Sequence, residues 1–274
     1  MEAIAKDQSG TGFYGIKGKN ALITGASRGI GYAVAIELAG HGVNCALLAR
    51  SEGPLESLAQ ELRSAGVRAE SIALDLVAPD SLTVIEKRLA AEFGFIDILV
   101  NNAGIYGTAS IDSDEDGSLW SATIETNLSV PYRLARYFGA SMKKTGWGRL
   151  INVSSISGQK GECFGAAYSA SKFGLLGMTQ SLALELASFG VTVNAVCPGW
   201  VDTDMAVSQI NDPDWCNLNG IELAHSMELT RLSVPQERLI EPAEVASLIA
   251  YLASNQARGI TGQAINICGG LSIT

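Results

Sequence analysis

Tyr168 and Lys172 stand four residues apart in Ala167-Tyr168-Ser169-Ala170-Ser171-Lys172-Phe173. On a helix that spacing puts phenol and ammonium on one face, close enough for the cation to favour the phenolate. A free tyrosine titrates near about 10, so a working value near neutrality asks for about three units, or about 4 kcal/mol of differential stabilisation. One nearby cation can supply much of that. A phenol so tuned gives a proton to a carbonyl oxygen or takes one from an alcohol. An unrelated surface pair has the same spacing, so the rest of the chain must decide between the two.

The elements that would hold such a pair follow from periodicity. Strand-length apolar runs, Ala21-Leu22-Ile23, 43–48, Ile72-Ala73-Leu74, 96–100, 149–153 and 191–196, alternate with longer stretches of helical period. This βαβ rhythm predicts an α/β fold, a doubly wound parallel sheet with helices on both faces, and the run 264–267 predicts a seventh, edge strand. Residues 1–18 read as a flexible arm and 19–274 as one dinucleotide-binding catalytic domain. Residues 202–241 depart from the rhythm and read as a lid insertion.

Directly after the first run stands Thr24-Gly25-Ala26-Ser27-Arg28-Gly29-Ile30-Gly31. Between a strand and a helix, such a turn lets backbone approach a pyrophosphate that sits on the helix N-terminus. At the end of the second strand Leu48-Ala49-Arg50 carries a guanidinium where an acid would hold ribose hydroxyls. Arg50 and Arg28 therefore favour the 2′-phosphate of NADPH over NADH, the competing reading being two solvated surface charges. Asp75, followed by Leu76, is placed to accept from an adenine amino group, or to be a helix cap ahead of Pro79.

The 274 residues are 47% apolar and 17% charged, enough for a substantial core. The net charge of -9 argues against nucleic acid or an anionic membrane as a general partner. No apolar run of membrane-spanning length and no leader-like start is present, so the expected location is cytoplasmic. The five cysteines, 45, 163, 197, 216 and 268, are too scattered for a zinc site or a disulfide scaffold, and no metal is expected.

The glycine turn, Asn101-Asn102-Ala103-Gly104, Ser155, Tyr168-x3-Lys172 and Pro198-Gly199 resemble, in order and spacing, the short-chain dehydrogenase/reductase family over about residues 18–270. The resemblance implies a Rossmann-type seven-stranded parallel sheet and a homotetramer. It implies that Asn127, Ser155, Tyr168 and Lys172 are catalytic. Tyr168 would be the general acid, Ser155, rather than its neighbour Ser154, a donor to the substrate oxygen, Lys172 a cation binding the nicotinamide ribose, and Asn127 the anchor of a proton-carrying water. Asn102, Ala103 and Gly104 would line the adenosine side of the cofactor, and Pro198, Gly199, Val201 and Thr203 the nicotinamide side.

Within the family the resemblance runs to β-ketoacyl reductases, especially those of aromatic polyketide synthesis, through 194–199, 265–271 and 49–53. Where those enzymes often carry Pro-Gly-Gly, this chain has Ile105-Tyr106-Gly107-Thr108, with bulky Tyr106 in place of a small residue. Trp200, Tyr106, Met205 and Trp215 are candidates to border the substrate, and Cys163 with Phe164 is the pair expected to touch it. A carrier protein or CoA holding the ketone would need cations near the mouth, for which Lys143, Lys144, Arg149 and Lys160 are available. The expected activity is NADPH-dependent reduction of a β-ketoacyl or polyketide-type ketone. Oxidation of a small alcohol, sugar or steroid, and a non-catalytic nucleotide-binding subunit, are the alternatives.

Overall fold

The computed structural model describes residues 14–112 and 117–273. Seven strands, β1 Asn20–Thr24, β2 Asn44–Ala49, β3 Ala69–Ala73, β4 Ile98–Asn101, β5 Gly148–Val153, β6 Val191–Pro198 and β7 Ala264–Ile267, form one parallel sheet. Their order is β3-β2-β1-β4-β5-β6-β7. Alternate residues of a strand point to opposite faces, so β1 sends Ala21 and Ile23 into one core and Leu22 into the other. Helices α1 Gly29–Gly40, α2 Glu52–Ser64 and α10 Pro242–Ala253 cover the first face. Helices α3 Ser81–Glu92, α5 Val130–Thr145 and α6 Ala166–Leu186 cover the second. The order reverses between β1 and β4, and in a doubly wound sheet the crevice beyond the carboxyl ends at that point is where ligands bind.

Helix α4, Ser118–Ile124, runs into α5 through a π-helical turn at Glu125–Ser129. Such single turns recur at functional sites, and this one carries Asn127. Between β6 and α10, the expected lid consists of α7 Asp204–Ile210, α8 Pro213–Leu218, a 3₁₀ turn and α9 Ser226–Ser233. Asp212 starts α8 by accepting from the backbone N–H groups of Asp214 (2.8 Å) and Trp215 (3.0 Å).

Residues 14–18, expected to belong to an arm, pack against the rest of the chain. Ile16 is fully buried in the first core, and Tyr14 packs its ring on His41 at 4.3 Å. The Tyr14 carbonyl accepts from Asn255, so residues 14–18 are part of the domain; their polar, glycine-containing sequence hid one apolar anchor. Residues 1–13 lie outside the described part. Among the described residues no helix is long and apolar enough to cross a membrane, and no cluster of acids, cysteines and histidines could hold a metal ion.

Candidate active site

A continuous cavity of about 1040 Å³ runs along the carboxyl ends of the strands. Pockets for one small ligand are typically about 300–1,000 Å³, so this one stands at the upper end of that range. One end is walled by Gly25, Ser27, Arg28, Gly29 and Ile30, with Arg50, Asp75, Leu76, Asn102, Ala103 and Gly104 beside them. Gly25 and Gly29 have φ of +68° and +58°, the left-handed region that favours glycine. Gly31 does not border the cavity; a Cβ there would lie 2.3 Å from the Gly25 carbonyl oxygen, so it lets α1 pack against the turn. The N-terminus of α1 has no side-chain cap and no acid in its first turn. Its free N–H groups and a cradle of glycines suit a pyrophosphate.

This turn is fastened to the loop after β4. Thr24 Oγ accepts from the N–H groups of Asn102 (2.9 Å) and Ala103 (3.0 Å), and Asn102 Nδ2 donates to the Thr24 carbonyl at 2.9 Å. Asn102 therefore works chiefly as a clasp. Arg50 is exposed at the cavity edge, and Arg28 pairs with Asp204 of α7 at 3.2 Å, both side chains well solvated. Asp75 is exposed on the wall and accepts from the Val77 N–H at 3.1 Å, which closes a turn and caps no helix, since α3 starts at Ser81 after Asp80.

Ser155, Tyr168 and Lys172 meet on the wall further along. Ser155 follows β5 in extended conformation and accepts from the Ser157 N–H at 3.1 Å. Ser154 is buried and donates to the Lys172 carbonyl at 3.1 Å, tying β5 to α6. Lys172 is buried, donates to the Val153 carbonyl at 2.8 Å, and sits 5.5 Å from the Tyr168 ring centre.

The expected lowering of the tyrosine pKa is reversed. Burial pushes Tyr168 up to about 12, while the Ser155 hydroxyl pulls it down and the Glu162 charge adds to the rise. Burial likewise brings Lys172 down to about 8. Desolvation is the largest influence on both groups, as burial disfavours the charged form of each.

Asn127 is buried and off the cavity wall. Its Nδ2 donates to the Ile105 carbonyl (2.9 Å) and Ser171 Oγ (3.2 Å), and its Oδ1 accepts from the Ile105 N–H (2.9 Å). Protein partners thus engage both ends of the amide expected to anchor a water, and what it holds is the loop carrying Gly104 and Tyr106. A Cβ at Gly104 would lie 3.2 Å from Asn127 Oδ1 and 3.7 Å from Lys172 Nζ, so all three close on one point.

Pro198, Gly199, Val201 and Thr203 border the cavity, as do Tyr106, Trp200, Met205 and Trp215; Thr203 lies against the glycine turn, its Cγ2 3.2 Å from where a Cβ of Gly29 would stand. Tyr106 meets Tyr168 edge-on at 5.1 Å, and Trp200 meets Trp215 edge-on at 5.9 Å. Cys163 is exposed and Phe164 takes a φ of +59°; neither borders the cavity, contrary to expectation. The loop turns there, and the residue it presents instead is Glu162. Being the sole acid between Ser155 and Tyr168 was its one sequence signal.

Of the four cations considered for a carrier, only Lys160 reaches the cavity. Arg149 is buried at the amino end of β5, stacked 4.4 Å from the Trp147 ring centre, and Lys143 lies over Phe189. Lys143 and Lys144 end α5, which leads into that same amino edge.

The model of the short chain dehydrogenase family matches residues 19–214. The chain belongs to that family. A 3-oxoacyl-[acyl-carrier-protein] reductase of Vibrio cholerae is 40% identical to it over 256 residues, 93% of this chain and 98% of the relative. A Streptomyces virginiae protein carrying the name of a monensin polyketide synthase ketoacyl reductase is 42% identical over 253 residues, 92% of this chain and 96% of its own. Among solved structures, a variant of actinorhodin polyketide ketoreductase with NADPH superposes with a TM-score of 0.87 at 38% identity, covering 93% of this chain and 97% of that one. The short chain dehydrogenase is thus similar along nearly its whole length to a 3-oxoacyl-[acyl-carrier-protein] reductase and to polyketide ketoreductases.

Proposed function

We propose that this short chain dehydrogenase reduces a β-ketoacyl or polyketide-type ketone to a secondary alcohol with NADPH. The observation that carries the reading is one unbroken cavity with a glycine cradle and Arg28 and Arg50 at one end, and Ser155, Tyr168 and Lys172 further along its wall. A phosphate on the adenosine ribose would find two guanidiniums there, the exposed Asp204 giving up Arg28. When bound, the nicotinamide supplies the hydride. The names of the ketoacyl reductases above support a ketone on the other side of that transfer.

The residues supply the proton and hold the charge. Ser155 and Tyr168 are the two hydroxyls that would donate to the carbonyl oxygen as it gains negative charge. With its pKa raised, Tyr168 is protonated at neutral pH and ready to give its proton to that oxygen. Lys172, still mostly cationic at neutral pH, stabilises the phenolate left behind. Asn127 acts on this step through Ile105, as a positioning residue. A thioester on a carrier protein or CoA would approach past Lys160, and a homotetramer is the assembly that membership of the family suggests.

The test is to follow nicotinamide absorbance with a panel of ketones and β-ketothioesters and each cofactor. NADPH-dependent turnover is expected, and Arg50→Ala should raise KM for NADPH about tenfold while leaving that for NADH little changed. Turnover tenfold better with NADH would overturn the cofactor assignment.

A further inference from the structure

Glu162 stands out at the far end of the cavity as a carboxylate among neutral groups. Its Oε1 accepts from the Tyr106 hydroxyl at 2.6 Å and from the Gln209 amide at 3.3 Å, and its Oε2 accepts from the Ser157 hydroxyl at 2.9 Å. Among the described residues no cation pairs with it; Lys160, two positions away, donates to the Leu271 carbonyl at 3.2 Å. An ionised carboxylate offers about four acceptor directions. Three are taken, and the one left belongs to Oε2.

All four residues of this cluster border the cavity, and they come from three separate places. Ser157 and Glu162 lie in the loop between β5 and α6, Tyr106 in the loop after β4, and Gln209 on α7. Tyr106 packs on Tyr168, so the carboxylate lies one aromatic ring away from the proton donor. Its negative charge adds to the rise that burial imposes on the Tyr168 pKa. A site of this kind favours a neutral hydroxyl that can donate a hydrogen bond and rejects a carboxylate. An unadorned acyl chain would leave the remaining acceptor without a partner.

We propose that Glu162 is a specificity-determining residue that accepts a hydrogen bond from a hydroxyl carried by the substrate a few bonds from the reacting ketone. The substrate class is then a hydroxylated ketone, an assignment that rests on the ketoreductase reading. Tyr106, Ser157 and Gln209 hold the carboxylate in position, and Gln209 makes the subsite depend on α7.

The experiment compares kcat/KM with NADPH for three N-acetylcysteamine thioesters: a plain 3-oxohexanoyl chain, the same chain with a hydroxyl on its terminal carbon, a few bonds from the ketone, and the same short chain with a carboxylate there. The wild-type enzyme should prefer the hydroxylated over the plain ketone about tenfold and disfavour the carboxylate about tenfold. In Glu162→Val the first ratio should fall to about one, and in Glu162→Gln the penalty on the carboxylate should vanish. A residue that merely fastened the loop would lower all three values together and leave the ratios where they were, which would overturn the proposal. Equal use of plain and hydroxylated ketones by the wild type would do the same. Turnover of none of the three would overturn the ketone reading and this proposal with it.

Discussion

Where the cavity passes the glycine turn after β1 its shape is set by backbone geometry, and where it passes Tyr168 it is bordered by side chains brought together from several loops. At the first end the constraints are short-range and severe: two glycines at positive φ, a third with no room for a Cβ, and a threonine hydroxyl accepting two N–H groups of the neighbouring loop. At the second end Tyr106, Glu162, Gln209, Trp200 and Trp215 arrive from segments up to about a hundred residues apart and meet through single hydrogen bonds and ring edges. Backbone geometry tolerates few sequences, whereas a side-chain wall can be rebuilt piece by piece. A family can therefore keep one end and vary the other.

Gly31→Val should break the first end outright. The new side chain would collide with the Gly25 carbonyl, which is backbone, and with the Asn102 side-chain Nδ2, 2.5 Å from the Cβ position and held by its hydrogen bond to the Thr24 carbonyl. NADPH affinity, followed by fluorescence titration, should fall about 100-fold or more, with about 3 kcal/mol lost in denaturant unfolding. Affinity within threefold of the parent would contradict a rigid cradle.

Lys172 sits where the two ends join, and its place there costs stability. Its pKa of about 8 in the folded protein is below the 10.5 of a free lysine. The unfolded chain therefore holds the proton more tightly between those values, and this group's contribution to stability rises with pH across that window. Lys172→Met should be more stable than the parent at pH 7, by about 1–3 kcal/mol after loss of the hydrogen bond to Val153. The advantage should shrink toward pH 10.5, and one that grew with pH would show the assigned direction to be wrong. The same variant should lose most of its reductase activity.

Tyr106→Phe is the milder test of the second end. It keeps the ring against Tyr168 and removes one donor from Glu162. A shift of KM for ketone by about three- to tenfold, with NADPH affinity unchanged, is expected. Equal changes in both would mean that the ends are not separable. At the small end of the scale, Gly40→Ala closes α1 where nothing lies within 4 Å of the added Cβ, and should stabilise by about 0.5 kcal/mol without touching either ligand.

The same division explains what could be read before the structure. Gly25, Gly29 and Gly31 announce their role because backbone requirements select residue types at fixed spacing, and the strand at 264–267 was legible from its apolar run and position. Glu162 was hidden because nothing local says which way a loop residue points; adjacency to Tyr168 suggested Cys163 and Phe164, which the turn carries off the wall. Asn127 carried no sign of the π-helical turn that aims it at Ile105. The direction of the Tyr168 pKa depended on burial, which the Tyr-Lys spacing does not encode. Arg149 and Lys143 looked available as surface cations until the sheet put them at the opposite end.

The most direct measurement of the central claim is single-turnover hydride transfer from NADPH already bound to Tyr168→Phe. The phenyl ring keeps its packing on Tyr106 and loses only the donor hydroxyl. Transfer to ketone should slow by about 10²–10⁴-fold while NADPH affinity stays within threefold of the parent. A rate within tenfold of the parent would contradict Tyr168 as the proton donor.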